Sequence, residues 1–177
     1  MRFLFFLCLL SLVGCASDIS NGESDILTPA STPDFQDSPD LAGAEADLNN
    51  LALSMVNAQR TQGCRCGNQF MPAVPGLRIN SLLFDAAQTH SDDMRQMNNM
   101  QHRGSDGSQV GERTTRHGYN WRAVGENIAR GFTSVQQVVD AWFESPGHCQ
   151  NLMNENFTEI ALARSNNFWT QVLAAPR

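Results

Sequence analysis

Three short polar segments of this 177-residue chain hold the side chains best suited to chemistry. They run from His102 to Ser108, from Gly125 to Ala129 (Gly-Glu-Asn-Ile-Ala), and from Trp142 to Leu152 (Trp-x-x-Ser-x-Gly-His-x-x-Asn-Leu). Imidazoles and carboxylates of this kind can hold a zinc-type ion with an open coordination position, or can position a water between an acid and a base. Neither chemistry needs local spacing, so only folding can bring the segments together.

Signatures of familiar catalytic sites do not occur in the sequence. It contains no G-x-S-x-G elbow, no H-E-x-x-H, no phosphate-binding loop and no G-x-G-x-x-G. Neither Ser105 nor Ser108 stands on a recognisable elbow, and Cys149 adjoins His148 but is expected to be disulfide-bonded. A non-catalytic role is therefore favoured.

Apolar periodicity predicts four helices that position these segments. They extend from about Glu45 to Gln62, from the capping Ser81 to Met97, and from about Gln109 to His117, and a fourth opens at Ser134 and ends before Pro146. In the first helix the predicted core stripe is Leu48, Leu51, Met55 and Val56. His102 then lies just beyond the second helix, at the head of a turn-rich loop.

Strand patterns occur mainly towards the end of the chain. They cover Asn127 to Arg130, Glu159 to Arg164 and Phe168 to Ala174, and the turn-forming Ser165-Asn166-Asn167 joins the last two. Helices followed by a late hairpin predict an α+β fold with an antiparallel sheet.

Charge divides the chain into two parts. Residues 16–44 contain six acids, three prolines and no base, a composition that cannot build a core and predicts a flexible tether. Residues 45–177 contain 12 acids and 11 arginines, so the net charge of −6 belongs mostly to the tether. This balance argues against a nucleic-acid partner.

The first residues predict export. Arg2 precedes the apolar run Phe3–Val13, which is too short to span a bilayer and is typical of a signal peptide. The end of the run, Leu12-Val13-Gly14-Cys15, resembles a bacterial lipobox, which implies cleavage after residue 14 and a lipid on Cys15 that anchors the protein in a membrane. Ala16 after the cysteine implies the outer membrane by the same resemblance. The alternative is an ordinary signal peptide with an incidental cysteine. The predicted organisation is a leader (1–14), an acidic tether (15–44) and one domain (45–177).

Three cysteines remain once Cys8 leaves with the leader and Cys15 takes lipid. In an oxidising compartment, Cys64, Cys66 and Cys149 allow one disulfide and one spare thiol. Such a bridge would close a loop of more than 80 residues and stabilise the fold by roughly 4 kcal/mol. The alternative is a zinc site built from the three thiols and His148.

Taken in order, these segments resemble the CAP superfamily (cysteine-rich secretory, antigen-five and pathogenesis-related proteins), in its bacterial branch of exported single-domain members. The likeness covers about Leu48 to Ala174 and includes Asn154-x-Asn156-Phe157-Thr158-Glu159-Ile160. It implies a three-layer α-β-α sandwich. By resemblance to the Cys-Gly pattern of bacterial members, it also implies that Cys66 rather than Cys64 pairs with Cys149.

The resemblance implies a cleft that holds two histidines and two acids. His102 matches the first histidine, Glu126 the first acid and His148 the second histidine. Many members place the second acid three residues after a tryptophan, whereas here Glu144 follows Trp142 by two residues. Glu144 is thus a candidate that departs from the pattern. The implied metal ligands are His102 and His148, with a divalent ion such as zinc as the cofactor.

The expected function is that of a binding or interaction module of the cell envelope, with a lipid, glycan or protein in the cleft. The alternative is a metal-dependent or His-Glu hydrolase acting on an envelope peptide or ester. A purely structural reading is also open, in which Glu126 accepts backbone N–H groups and His148 braces a helix that begins after Pro146-Gly147.

Overall fold

The computed structural model describes residues 39–177, with side chains described from residue 43 onwards. The expected leader, Cys15 and residues 15–38 of the expected tether lie outside the described residues. Helix α1 begins at Pro39, six residues earlier than predicted and inside the segment assigned to the tether. Proline suits the first position of a helix, because its missing N–H has no partner there in any case.

Four of the helices in the described residues correspond to predicted ones, and a fifth is additional. They are α1 (Pro39–Gln62), α2 (Ser81–Met97), α3 (Val110–Arg116), α4 (Val135–Glu144) and the additional α5 (Pro146–Leu152). Pro146 ends the fourth predicted helix and also provides the first residue of α5. The segment that carries His148 is therefore helical.

The ends of these helices follow ordinary capping chemistry. The cap of α2 is Asn80 and not Ser81 as predicted, because the Asn80 side chain accepts a hydrogen bond from the Leu82 backbone N–H at 2.9 Å. Ser134 caps α4 as predicted, and its hydroxyl accepts from the Gln137 N–H at 3.3 Å.

The strands form a two-stranded hairpin and a four-stranded sheet. They are β1 (Cys64–Cys66), β2 (Gln69–Met71), β3 (Arg78–Ile79), β4 (Trp121–Arg130), β5 (Glu159–Ser165) and β6 (Phe168–Pro176). The larger sheet has the order β3-β5-β6-β4, and its last three strands pair antiparallel as predicted. The short β3 pairs with β5 in parallel, and both it and the β1–β2 hairpin lie between the first two helices, where no strand was predicted.

The two faces of the sheet bury different side chains against different helices. Ile160 and Leu162 of β5 pack in the core with α1 and α4, whereas Ala161 and Ala163 face α2. Small residues on the α2 face let that helix approach closely. The fold is therefore the expected α+β sandwich, with α1, α4 and α5 on one face and α2 and α3 on the other.

Helix α1 turns a polar stripe towards the core. Asn49, Ala52, Val56 and Arg60 are buried at helical spacing, while Leu51 of the predicted apolar stripe is 47% exposed. The Asn49 side chain exchanges two hydrogen bonds of 2.8 Å with the backbone of Leu162. The side of the helix that the hydrophobic pattern favoured is thus only partly the buried side.

Candidate functional site

The candidate site is built around Glu126 in β4, the edge strand of the larger sheet. Glu126 pairs with Val172 in the ladder and faces the α2 and α3 layer, where its side chain is only 3% exposed. Its Oε1 lies 2.8 Å from Nδ1 of His102, and its Oε2 accepts a bond of 2.6 Å from the Arg113 guanidinium. Both oxygens of this buried carboxylate therefore have charged or polar partners.

Arg113 of α3 is the buried counter-charge of the site. It is as buried as Glu126, and besides binding the carboxylate it donates to the backbone carbonyls of His102 at 3.2 Å and Ser108 at 2.8 Å. It thereby ties the 102–108 loop to β4. The sequence pattern did not point to Arg113, because an arginine in a short helix usually lies at the surface.

The geometry leaves the far side of the His102 ring available to a ligand. The side chain of His102 is 55% exposed although its Nδ1 contacts the buried Glu126. In this pairing Nδ1 carries the proton and donates it to the carboxylate, which leaves Nε2 as the acceptor. A carboxylate that orients an imidazole in this way is the arrangement found behind metal-binding and catalytic histidines.

His90 of α2 forms the inner wall of the same cluster. It is completely buried, its Nε2 lies 2.9 Å from the Gln101 carbonyl oxygen, and the same nitrogen is 3.8 Å from Oε1 of Glu126. Burial lowers the pKa of His90, although the nearby Glu126 carboxylate opposes this effect. It lies on the apolar stripe that α2 forms with Leu83 and Ala87, and it is a hydrogen-bonded core residue.

His148 approaches the site from the other face of the sheet, near the N-terminus of α5. Burial, together with the imidazole of His102, lowers the pKa of His148. Burial is the larger of these two causes, and no hydrogen bond within residues 43–177 joins the two rings. A lowered pKa keeps the His148 ring neutral at pH 7, which is the form that binds a metal or accepts a hydrogen bond.

Two asparagines of the recognised segments hold α5 against β4. Asn151 of α5 donates to the Glu126 carbonyl at 3.2 Å and to the Asn127 side-chain oxygen at 3.1 Å. Asn127 in turn donates to the Gln171 side chain at 3.0 Å from within the core. This network gives the Gly-Glu-Asn and Asn-Leu motifs a structural role, since it fixes the helix that carries His148.

Gly125 has a steric reason to precede Glu126. A Cβ at this position would lie 2.8 Å from the Phe157 ring and 3.4 Å from the Asn151 side-chain oxygen. The glycine therefore allows the helix α5 region and the following Asn-Phe segment to approach the strand.

Glu144 does not join this cluster. It is exposed at the last residue of α4, and no hydrogen bond within residues 43–177 links it to His102, Glu126 or His148. In place of a second cleft acid, the charged partner of Glu126 is Arg113.

The three cysteines of the domain form a compact group beside α5. Cys66 of β1 and Cys149 of α5 form a disulfide, and Cys64 is a free thiol. Within residues 43–177, this is the group of three or more potential metal ligands whose ligand atoms all lie within 4.8 Å of one another. His102, Glu126 and His148 are more widely spread, and two of the three sulfurs are already joined to each other.

Comparison with known proteins assigns the family. The Cysteine-rich secretory protein family (CAP) matches residues 53–173, which is more than half of the chain. The protein therefore belongs to the CAP family, as the order of its motifs indicated.

Two proteins of Bacillus subtilis are similar to this chain in sequence. The chain is 34% identical over 97 residues to the uncharacterized protein YkwD of Bacillus subtilis (strain 168), a match that covers 54% of this chain and 38% of that protein. It is 26% identical over 87 residues to the uncharacterized membrane protein YlbC of the same organism, covering 49% and 25% of the two chains. The matched region thus spans less than half the length of either relative.

Solved structures show the same fold. An extracellular protein containing a SCP domain from Bacillus anthracis str. Ames is 27% identical, with a TM-score of 0.66 over 77% of this chain and 43% of that one. An outer surface protein from Borrelia burgdorferi is 17% identical, with a TM-score of 0.62 over 72% and 92% of the chains. No helix of the described residues is long and apolar enough to cross a membrane.

Proposed function

We propose that this protein is a binding module of the cell exterior, in which His102 and His148 present ring nitrogens to a ligand at the edge of the sheet. The observation that supports this most strongly is the environment of the Glu126 carboxylate. Its carboxylate is buried, and both oxygens are taken up by His102 and Arg113. Glu126 is therefore a positioning residue for His102.

The same arrangement weighs against direct proton chemistry by Glu126. A general base needs a free lone pair within reach of the substrate, whereas Glu126 is covered by its two partners and is 3% exposed. Ligand contact thus falls to the two imidazoles, of which His102 is the more exposed.

The residues fit a divalent metal such as zinc in part. His102 has the carboxylate behind its Nδ1 that metal-bound histidines usually have, and the lowered pKa of His148 favours its neutral form. These two imidazoles would be the protein ligands, and the remaining ligands would come from water or from the bound molecule. Such a metal would act as a Lewis acid that holds an oxygen or nitrogen group of the ligand.

The cellular location and the partners of the protein are inferred from its sequence. We propose that a lipid on Cys15 anchors the protein in the outer membrane and that the residues between Cys15 and helix α1, which begins at Pro39, are the tether. The extracellular and outer-surface descriptions of the two proteins with similar structures support an exterior location. A lipid, glycan or protein would be the ligand of the cleft.

The test is a zinc titration by calorimetry on the purified, oxidised protein. Wild type should bind zinc with a micromolar dissociation constant, about −8 kcal/mol. His102→Ala and His148→Ala should each abolish this binding, while His117→Ala, which changes a histidine bonded to Thr89 outside the cleft, should retain it. If the folded wild type binds no zinc, the metal is removed from the proposal and the search turns to lipids, glycans and proteins. If His117→Ala alone loses binding, the metal site lies elsewhere.

A hydrolase is the second candidate, and the His102–Glu126 hydrogen bond favours it. An imidazole whose Nδ1 is held by a carboxylate can use Nε2 as a general base towards a water. The activity of pure protein towards peptide and ester substrates should then disappear in both His102→Ala and Glu126→Gln. Turnover that survives both substitutions would exclude this mechanism.

A further inference from the structure

We infer that Cys64, Cys66 and Cys149 form a thiol–disulfide exchange centre, in which the thiol of Cys64 displaces Cys66 as the partner of Cys149. This reactive site is separate from the histidine cleft and does not depend on the function proposed for it.

The three sulfur atoms lie close enough together for either pairing. Cys64 and Cys66 are two residues apart in strand β1, so their side chains point to the same side of the strand, towards Cys149 of α5. The sulfur of Cys64 lies 3.9 Å from that of Cys149, and all three sulfurs lie within 4.8 Å of one another. Either cysteine of β1 is therefore placed to pair with Cys149.

The two pairings differ very little in chain entropy. The existing disulfide joins residues 83 apart in sequence, and a bond between Cys64 and Cys149 would join residues 85 apart. Because loop-closure entropy changes only with the logarithm of loop length, the two rings constrain the unfolded chain almost equally. Local geometry alone then decides which form dominates.

Of the three cysteines, Cys64 is the one whose side chain solvent can reach. Cys66 and Cys149 are buried, with exposures of 1% and 0%, whereas Cys64 is partly exposed. The apolar side chains of Met71, Val74 and Met153 pack around the sulfurs, and they also line a cavity of about 390 Å³. The partial exposure of Cys64 leaves its thiol less confined than the two bonded sulfurs.

The chemical step is balanced without an external oxidant. The thiolate of Cys64 attacks the sulfur of Cys149, the Cys64–Cys149 bond forms as the Cys66–Cys149 bond breaks, and Cys66 leaves as a thiolate that takes up a proton. One disulfide and one thiol are present before and after. The three sulfurs form a triangle, so Cys64 must first rotate into line with the bond that it attacks.

Exchange alters what the disulfide holds. Cys149 follows His148 directly, and the disulfide attaches this part of α5 to the β1–β2 hairpin. Moving the bond from Cys66 to Cys64 moves the point of attachment on the hairpin by two residues along β1. Burial raises the pKa of Cys64, so the exchange should be slow at neutral pH and faster in alkaline solution, where more thiolate is present.

The experiment uses Arg65, which separates the two cysteines of β1 on different tryptic peptides. The full oxidised protein is incubated without reductant at about pH 8.5, quenched in denaturant at about pH 5 with excess N-ethylmaleimide, and digested for mass spectrometry. Label on the Cys66 peptide should increase with time to about a tenth of the free thiol or more, with a matching Cys64–Cys149 linked peptide. Label that stays on Cys64, with less than this on Cys66, overturns the inference.

Two variants keep the test independent of the rate in wild type. Oxidised in the same glutathione buffer, Cys64→Ser should contain only the Cys66–Cys149 bond, whereas Cys66→Ser should contain a Cys64–Cys149 bond in nearly all molecules. Cys66→Ser protein that is folded but retains two free thiols would also overturn the inference, because Cys64 would then be unable to reach its partner.

Discussion

Glu126 illustrates what a buried carboxylate requires in this molecule. Its charge is compensated by Arg113, its second oxygen is used by His102, and His90 lies beside it in the core. Breaking such a pair is costly, because the remaining partner is left buried without compensation. The reactive face of the site, His102, therefore depends on groups that a ligand never contacts.

Substituting Glu126 by glutamine should weaken zinc binding and stability together. Loss of the charged acceptor behind His102 should reduce zinc affinity about tenfold, and the uncompensated Arg113 should lower the free energy of unfolding by about 2 kcal/mol. Calorimetry and urea denaturation measure the two effects. Glu144→Gln is the matched control at an exposed position and should change neither. An equal effect of both substitutions would contradict the assignment of Glu126.

Stability should fall as the pH decreases from 7.5 to 5.5. His90 and His148 have lowered pKa values in the folded protein, so below the ordinary histidine pKa the unfolded chain binds protons that the folded protein does not. Each such proton contributes at most about 1.4 kcal/mol per pH unit, and the loss ends below the folded pKa.

Thermal unfolding across this pH range measures that effect. His148→Asn should show a shallower fall in the melting temperature than wild type, because one of the two groups has been removed. His117→Asn is the control and should retain the wild-type slope. A melting temperature that rises towards pH 5.5 would show that the histidines have the opposite linkage.

Among the elements, α1 is attached to the rest of the fold by buried polar side chains. Arg60 is completely buried, and its guanidinium donates to the carbonyls of Pro75, Leu152, Asn154 and Phe157 at 2.6–3.2 Å. Burial lowers the pKa of Arg60 to about 10, which is still high enough to keep it charged. This one side chain thus attaches the C-terminal end of α1 to the segment at Pro75, to the end of α5 and to the loop that follows α5.

Replacing Arg60 by methionine should destabilise the protein by about 3 kcal/mol. Methionine fills the space but leaves the buried carbonyls without a donor. Arg116→Met offers a matched control, because Arg116 pairs with Asp106 at the exposed surface and its loss should have little effect. Urea denaturation of both variants measures the difference. Similar stability of Arg60→Met and wild type would show that the carbonyls find other partners.

At the level of the whole molecule, one disulfide connects the two halves of the domain. The Cys66–Cys149 bond joins residues 83 apart and attaches the β1–β2 hairpin to α5. Its removal by Cys149→Ser should lower the free energy of unfolding by about 4 kcal/mol under oxidising conditions.

The control for that prediction is Cys64→Ser, which retains the bond and should keep wild-type stability. Reduction with dithiothreitol should bring wild type to the level of Cys149→Ser. If oxidised Cys149→Ser and wild type are equally stable, the bridge does not constrain the unfolded chain.

Helices α1 to α4 and the β5–β6 hairpin could be predicted because their signals are local. Ser134 and Asn166 act through neighbouring residues, at a helix cap and at a left-handed turn with φ of 55°. Residues His102, Glu126 and His148 were identified through motifs that are contiguous in sequence. The β1–β2 hairpin and β3 were missed, since strands of two or three residues carry no readable period.

Periodicity, capping residues and ordered motifs are enough to define helices α1 to α4, the late hairpin and the family of this protein. The charged partner of Glu126 could not be predicted, because Arg113 is an arginine whose burial depends on a carboxylate that is distant in sequence. The same holds for Arg60 and for the position of Cys64 beside the disulfide. Buried polar groups are stable only when the complete set of partners is assembled, and it is the packing of α2, α3 and α5 around the sheet that assembles them.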